Sequence, residues 1–375
     1  MKALFVLNGH KYVTKFLVPI AEELKKNDIT VDLFLPHESK KQHKNIEIFA
    51  EVNFFNFKRL NLNFFSIFKS LKDFIFIDLE KYKYVHVVST KVIIFFLIGL
   101  LLSPYRYKNK IIILHFIGLG RLFGNNGLIG FFIRQTTKLI SILISKKNFF
   151  KIIFLNESDK KILKNIFNEK FFSFTKIPGA GVNLNEYLFV NRKIKSKIKI
   201  LFLGRLIPQK GLDLFIQISN KLIKEYKLNL SAEIVGSFEE ADYEYKIKKL
   251  IEKKNIKNIS LAGETENPFL HYESSDFLIF PSSYGEGVPT VVLEAMATGL
   301  PCIVSDLPGC KEIIDDDLNG YLMSNFSIDD WCKKLIFLIN NPLKYSNISY
   351  EGRRKVENNF KVQKLAFDTL RLYQE

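Results

Sequence analysis

Residues 277–301, FLIFPSSYGEGVPTVVLEAMATGLP, leave this chain few ways to fold. Four apolar residues make a short strand, and Pro281 ends it because proline has no backbone N–H to add to a ladder. Ser282, Ser283, Gly285 and Gly287 form a polar turn, and Pro289 stands where a helix can begin. Val291, Val292, Leu293, Ala295, Met296 and Ala297 continue that helix until Gly299 and Pro301 stop it. A strand that breaks into a turn and then a helix belongs to a parallel sheet covered by helices.

The same rhythm runs along the chain. Strands are expected at residues 2–7, 30–35, 84–88, 110–114, 151–155 and 174–177. They resume at 199–203, 231–235, 259–262, 277–280 and 302–304, with helical patterns between them. At 375 residues the chain exceeds one comfortable core. Residues 192–197 are charged and lack an apolar pattern, so a domain boundary is expected there. The expected division is 1–190, 191–355, and a closing helix at 356–375 packing back toward the first domain. The fold class is α/β: two Rossmann-like, doubly wound domains facing across a cleft.

Charge separates the halves. Residues 1–190 hold 29 Lys and Arg against 14 Asp and Glu, a surplus of 15, whereas residues 191–375 hold 26 against 25. A basic half joined to a neutral one implies that one domain meets something anionic, a phospholipid surface or a nucleic acid. No nucleic-acid module is recognisable, which favours the membrane; a lysine-rich solvated surface is the plain alternative. The basic loops lie at residues 40–44 and 58–59, and a long apolar-basic helix at about 128–147 carries Arg134, Lys138, Lys146 and Lys147. The most hydrophobic run, 92–102, is too short to span a bilayer. Cys302, Cys310 and Cys332 stand in no paired pattern, as core thiols in a reducing compartment would. The expected location is cytoplasmic, peripheral on the inner face of the membrane.

Two constellations carry chemistry. The loop Gly204 to Gly211 follows a strand and precedes a helix, where a phosphate binds; Arg205 offers a planar fork and Lys210 a point charge. Downstream, Glu286 in the turn and Glu294 about two helical turns on can face the crevice at the carboxyl end of their strand. Free amides at the helix start suit an anion and the carboxylates suit hydroxyls. Together they describe a site for phosphate plus sugar. Gly9, after the first strand, permits close approach of a ligand or is an ordinary turn. His115 follows a strand and, taken alone, is a core or turn residue. Asp315-Asp316-Asp317, beside Asn319-Gly320, is a solvated turn rather than a metal motif.

Gly204-Arg205-Leu206 with Lys210-Gly211, then Pro281-Ser282, Glu286-Gly287, Pro289 and Glu294-Ala295-Met296-Ala297 with Gly299 and Pro301, resemble the family 4 retaining glycosyltransferases of the GT-B fold. The resemblance implies that Arg205 and Lys210 hold a diphosphate and that Glu294 accepts hydrogen bonds from a ribose. It implies that Glu286, with the amides of Gly287 and Val288, holds the donor sugar, and that Thr290 adds a phosphate contact. Gly204 opens the donor loop. His115 matches the histidine such enzymes place beside the transferred sugar, and Gly9 would stand at the donor, although Asn8-Gly9-His10 departs from the family's paired glycines. Residues 115–120, 156–158 and 178–183 look most like the bacterial subgroup acting on polyprenyl-diphosphate-linked glycans in O-antigen, capsule or N-glycan precursor synthesis.

The resemblance further implies a nucleotide-sugar co-substrate, UDP-linked, with no cofactor and no metal. The partners it implies are a lipid-linked glycan acceptor and an anionic membrane surface, and no nucleic acid. A sugar-nucleotide epimerase of the same fold and a non-catalytic subunit are the competing readings.

Overall fold

The computed structural model describes residues 1–9, 13–39, 47–57, 64–103, 107, 109–119, 123, 127–144, 149–253, 258–285 and 287–374. Contacts divide the chain into two compact units: Met1–Gly181 together with Val362–Glu375, and Val182–Lys361.

The first unit is built on β1 (Lys2–Val6), β2 (Thr30–Pro36), β3 (Val52–Phe55), β4 (Tyr84–Val88), β5 (Ile111–His115), β6 (Phe149–Phe154) and β7 (Phe172–Lys176). Among the described residues these form one parallel sheet in the order β3-β2-β1-β4-β5-β6-β7. β4 is buried at every position and β5 nearly so, which is why both read as unbroken apolar runs: helices cover both faces. The helix Thr90–Leu102 is apolar all round because it lies inside, between the sheet and two further helices. Gly99 permits this, since a side chain there would press within 3.0 Å of the Phe74 backbone on the helix Phe64–Phe76. The final helix, Val362–Gln374, belongs to this unit and packs on the helix Val18–Lys26.

The second unit holds β8 (Ile198–Leu203), β9 (Leu230–Val235), β10 (Ile259–Gly263), β11 (Phe277–Phe280), β12 (Cys302–Ser305) and β13 (Tyr321–Met323). Among the described residues they form a parallel sheet in the order β10-β9-β8-β11-β12-β13. Its order reverses between β8 and β11, so the loops after those two strands leave the sheet side by side. A doubly wound sheet holds its ligands at such a switch point.

Two strands differ from the sequence expectation, β3 and β13. Both are short and outermost in their sheets, so neither shows the doubly buried run that marks the interior strands. Arg192 is buried, and its guanidinium donates to the carbonyls of Tyr272 (2.9 Å) and Glu273 (3.2 Å), and of Ser275. A buried guanidinium is tolerable only where carbonyls satisfy its N–H groups. The basic loops at 40–44 and 58–59, and Lys146 and Lys147, lie outside the described residues. Among the described residues no helix is long and apolar enough to cross a membrane, and all three cysteines are buried thiols outside any disulfide.

Candidate functional site

At the switch point of the second unit, the loop after β8 and the loop after β11 are locked together. Gly211 has φ +77°, and a Cβ there would lie 2.0 Å from the Pro281 carbonyl oxygen. The Ser283 amide donates to the Gln209 carbonyl at 2.8 Å, and the Ser283 hydroxyl reaches the same oxygen at 3.2 Å. A second close approach sets the start of the first loop: a Cβ on Gly236, φ +146°, would fall 1.8 Å from the carbonyl oxygen of Gly204. Gly204 itself, φ +151°, has open space where a side chain would stand.

This scaffold brings Arg205 and Lys210 onto one ring. The Arg205 guanidinium carbon lies 5.7 Å and the Lys210 Nζ 5.6 Å from the Tyr284 centroid, and Lys210 is also 5.1 Å from Phe280. Those are cation–π distances. Arg205 pairs with Glu239 at 3.2 Å, both side chains partly exposed, whereas Lys210 is only 8% exposed. Two cations held on one aromatic ring at a sheet switch point are an arrangement that suits an anion.

The helix Thr290–Ala297 begins just beyond. Thr290 is exposed at its first position, Val288 is buried, and Gly287 is half-buried. The first amides of a helix have no intrahelical partner and carry its positive dipole end. Glu286 lies outside the described residues. Glu294 is buried and accepts a hydrogen bond from the Tyr272 hydroxyl at 2.9 Å; Tyr187 bonds the same carboxylate. Burial, and then the Glu294 charge, push both phenols above their ordinary range, so both stand as donors. A carboxylate has about four acceptor positions, more than two phenols fill. Further hydroxyls can therefore bond to Glu294.

The first unit has its own switch point, between β1 and β4. Gly9 sits after β1, and nothing lies within 4 Å of the place a Cβ would take there. Beside it the Asn8 amide donates to Ser89 Oγ at 2.9 Å. Ser89 has φ +88°, a costly conformation for a residue with a side chain. Thr90 Oγ donates to the Gly118 carbonyl at 2.9 Å, tying the loop after β4 to the loop after β5.

His115, at the end of β5, is fully buried. Its Nδ1 lies 3.1 Å from His86 Nε2, whose Nδ1 is 2.6 Å from the Tyr373 hydroxyl. Phe16 packs edge-on against His115 at 4.7 Å. Burial holds both imidazoles neutral, His86 pushed down to about 3 and His115 well below its ordinary value, the second also because of its histidine neighbour.

Tyr284, Tyr272, Tyr187, His86 and Tyr373 carry no spacing signal in the sequence; only their three-dimensional neighbours single them out. The aspartates at 315–317 are engaged within their own neighbourhood. The backbone amide of Leu322 bonds Asp316 and the hydroxyl of Tyr321 bonds Asp317, while Lys355 and Lys344 pair with Asp315 and Asp317.

Comparison with known proteins places this geometry. Residues 185–355 match the family model for glycosyl transferases group 1. An uncharacterized glycosyltransferase of Haemophilus influenzae is 35% identical over 211 residues, 56% of this chain and 57% of that protein. The UDP-Gal:alpha-D-GlcNAc-diphosphoundecaprenol alpha-1,3-galactosyltransferase of Escherichia coli is 28% identical over 226 residues, 57% of each. The chain spans about half the length of the curated relatives it matches. The sucrose-phosphate synthase structure from Thermosynechococcus elongatus superposes with a TM-score of 0.79 at 15% identity, covering 100% of this chain and 98% of that one. The fold class is GT-B.

Proposed function

We propose that this chain moves a hexose or N-acetylhexosamine from a UDP-sugar to a lipid-linked oligosaccharide, a reading supported by the match of residues 185–355 to the family model for glycosyl transferases group 1. The setting is bacterial surface-glycan synthesis, at the cytoplasmic face of the membrane. The observation that carries the reading is the convergence of Arg205 and Lys210 on Tyr284 at the switch point of the second sheet. The acceptor class is supported by the E. coli relative, whose substrate is a diphosphoundecaprenol-linked sugar.

On this reading Arg205, Lys210 and the amides that open the helix Thr290–Ala297 stabilise the charge that gathers on the departing diphosphate. Glu294, held by Tyr272, accepts from the ribose hydroxyls, while Glu286 and the Gly287 and Val288 amides hold the sugar. The acceptor hydroxyl attacks the anomeric carbon from the face the diphosphate leaves, its proton passes to a departing phosphate oxygen, and configuration is retained. The protein supplies charge and position, with no metal and no protein base. The reading is tested with a panel of nucleotide sugars, scored for binding and then for label entering the solvent-extractable lipid of a membrane preparation. UDP-sugars are expected to bind and to label lipid; label confined to water-soluble sugar would sink it.

Membrane attachment is supported by the helix Leu128–Ile144. Leu128, Ile129, Phe132, Leu139 and Leu143 are each more than half exposed along it, in a half of the chain with a surplus of 15 positive charges. Vesicle flotation is expected to require anionic phospholipid and to weaken with salt. The double substitution F132S/L139S is expected to lower partition about a hundred-fold, since each side chain contributes about 1–2 kcal/mol when buried in lipid. Flotation indifferent to lipid charge and to the substitutions would remove this surface.

A further inference from the structure

The buried row Tyr373–His86–His115 has a direction, and the direction decides what His115 can do. The Tyr373 hydroxyl and His86 Nδ1 are 2.6 Å apart. That separation is short for an N–H donor and ordinary for an O–H donor. A phenol is also the stronger acid and an imidazole nitrogen the stronger acceptor. Tyr373 therefore donates to His86 Nδ1. Each neutral imidazole carries one N–H, so His86 has its proton on Nε2 and donates across 3.1 Å to His115 Nδ1. The proton of His115 is then on Nε2.

That atom is buried and has no hydrogen-bond partner among the described residues. Leaving a buried donor without an acceptor is costly, so natural folds rarely keep one without use.

We infer that Tyr373 and His86 are positioning residues that fix His115 as a neutral donor through Nε2, aimed at an oxygen of the substrate rather than at a proton to be removed. The identity of that oxygen, a hydroxyl of the transferred sugar, rests on the function proposed above; the direction of the row does not. Two consequences separate this role from simple packing. His115 has a single tautomer, and that tautomer depends on a hydroxyl two residues away in the row.

The test is ¹⁵N-edited NMR of the histidine rings in the full chain and in Tyr373→Phe, with steady-state kinetics on the best UDP-sugar. The expected wild-type spectrum assigns the proton of His115 to Nε2. In Tyr373→Phe the row loses its anchor and the Nδ1–H tautomer is expected to appear. The rate of transfer is expected to fall about ten-fold with KM for the UDP-sugar little changed. A wild-type His115 protonated on Nδ1, or a Tyr373→Phe spectrum identical to wild type, would overturn the relay. A tautomer shift with no change in kinetics would overturn the positioning role. The expected spectra in a protein that turns over no nucleotide sugar would keep the relay and discard the glycosyl-transfer reading.

Discussion

Lys210→Ala is expected to give a folded protein whose sugar transfer is slower on the order of a thousand-fold. Removing one preorganised donor from a developing anion typically costs about 10²–10³ in rate. Lys210 belongs at the upper end because its ammonium is almost fully buried, where charge acts with little screening by water. Folding should survive, since the substitution removes a charge from the interior. Phe280 and Tyr284 remain to close the space. Single-turnover rates and a melting curve check the two halves of the claim. Lys210→Arg keeps the charge but not the compact ammonium, and should restore only part of the rate. Full turnover in the alanine variant would take Lys210 out of the mechanism.

Gly211→Ala is expected to be among the most damaging small substitutions in the second unit. The added methyl would sit 2.0 Å from the Pro281 carbonyl oxygen and 2.7 Å from its carbon, and the obstacle is backbone, which cannot swing aside. The backbone at φ +77° also disfavours any side chain. Overpacking plus left-handed strain should cost about 3 kcal/mol or more, and the two donor loops should part where Ser283 bonds Gln209. Chemical denaturation measures the first effect and nucleotide affinity the second. Gly9→Ala is the control: nothing lies within 4 Å and its φ is not in the left-handed range, so stability should change by less than about 1 kcal/mol. Equal stability in both variants would mean that the contact between the loops is not what holds them.

Much of this was legible from residues alone, for a physical reason. Interior strands such as β1, β4, β8 and β11 are buried on both faces, and that forces an unbroken apolar run. The Asn156 side chain accepts the Asp159 amide at 2.8 Å, the cap that a short polar residue before a helix offers. The pairing of the Gly204–Gly211 loop with the Pro281 turn was also within reach, because their chemistry is complementary and both follow strands.

Of the four outermost strands, β7 and β10 were expected from their sequence, whereas β3 and β13, the two shortest of the four, escaped because so few residues at an edge need carry no apolar pattern. Arg192 escaped because nothing in a run of charges says which one the carbonyls of a neighbouring helix end will enclose. The tyrosines around Glu294 and under the two cations escaped because an aromatic side chain reads as core wherever it falls; only contact reveals that Tyr272 donates to a carboxylate.

The return of the chain to its first unit has a consequence for how the protein comes into being. The Tyr84 hydroxyl bonds the carbonyl of Tyr373, the Lys151 ammonium that of Leu372, and His86 the Tyr373 phenol. During synthesis those three groups wait for residues made more than 200 positions later. The first unit is thus begun before residues 182–361 and completed after them. A nascent chain cannot have its histidine row in order until translation has reached the final helix.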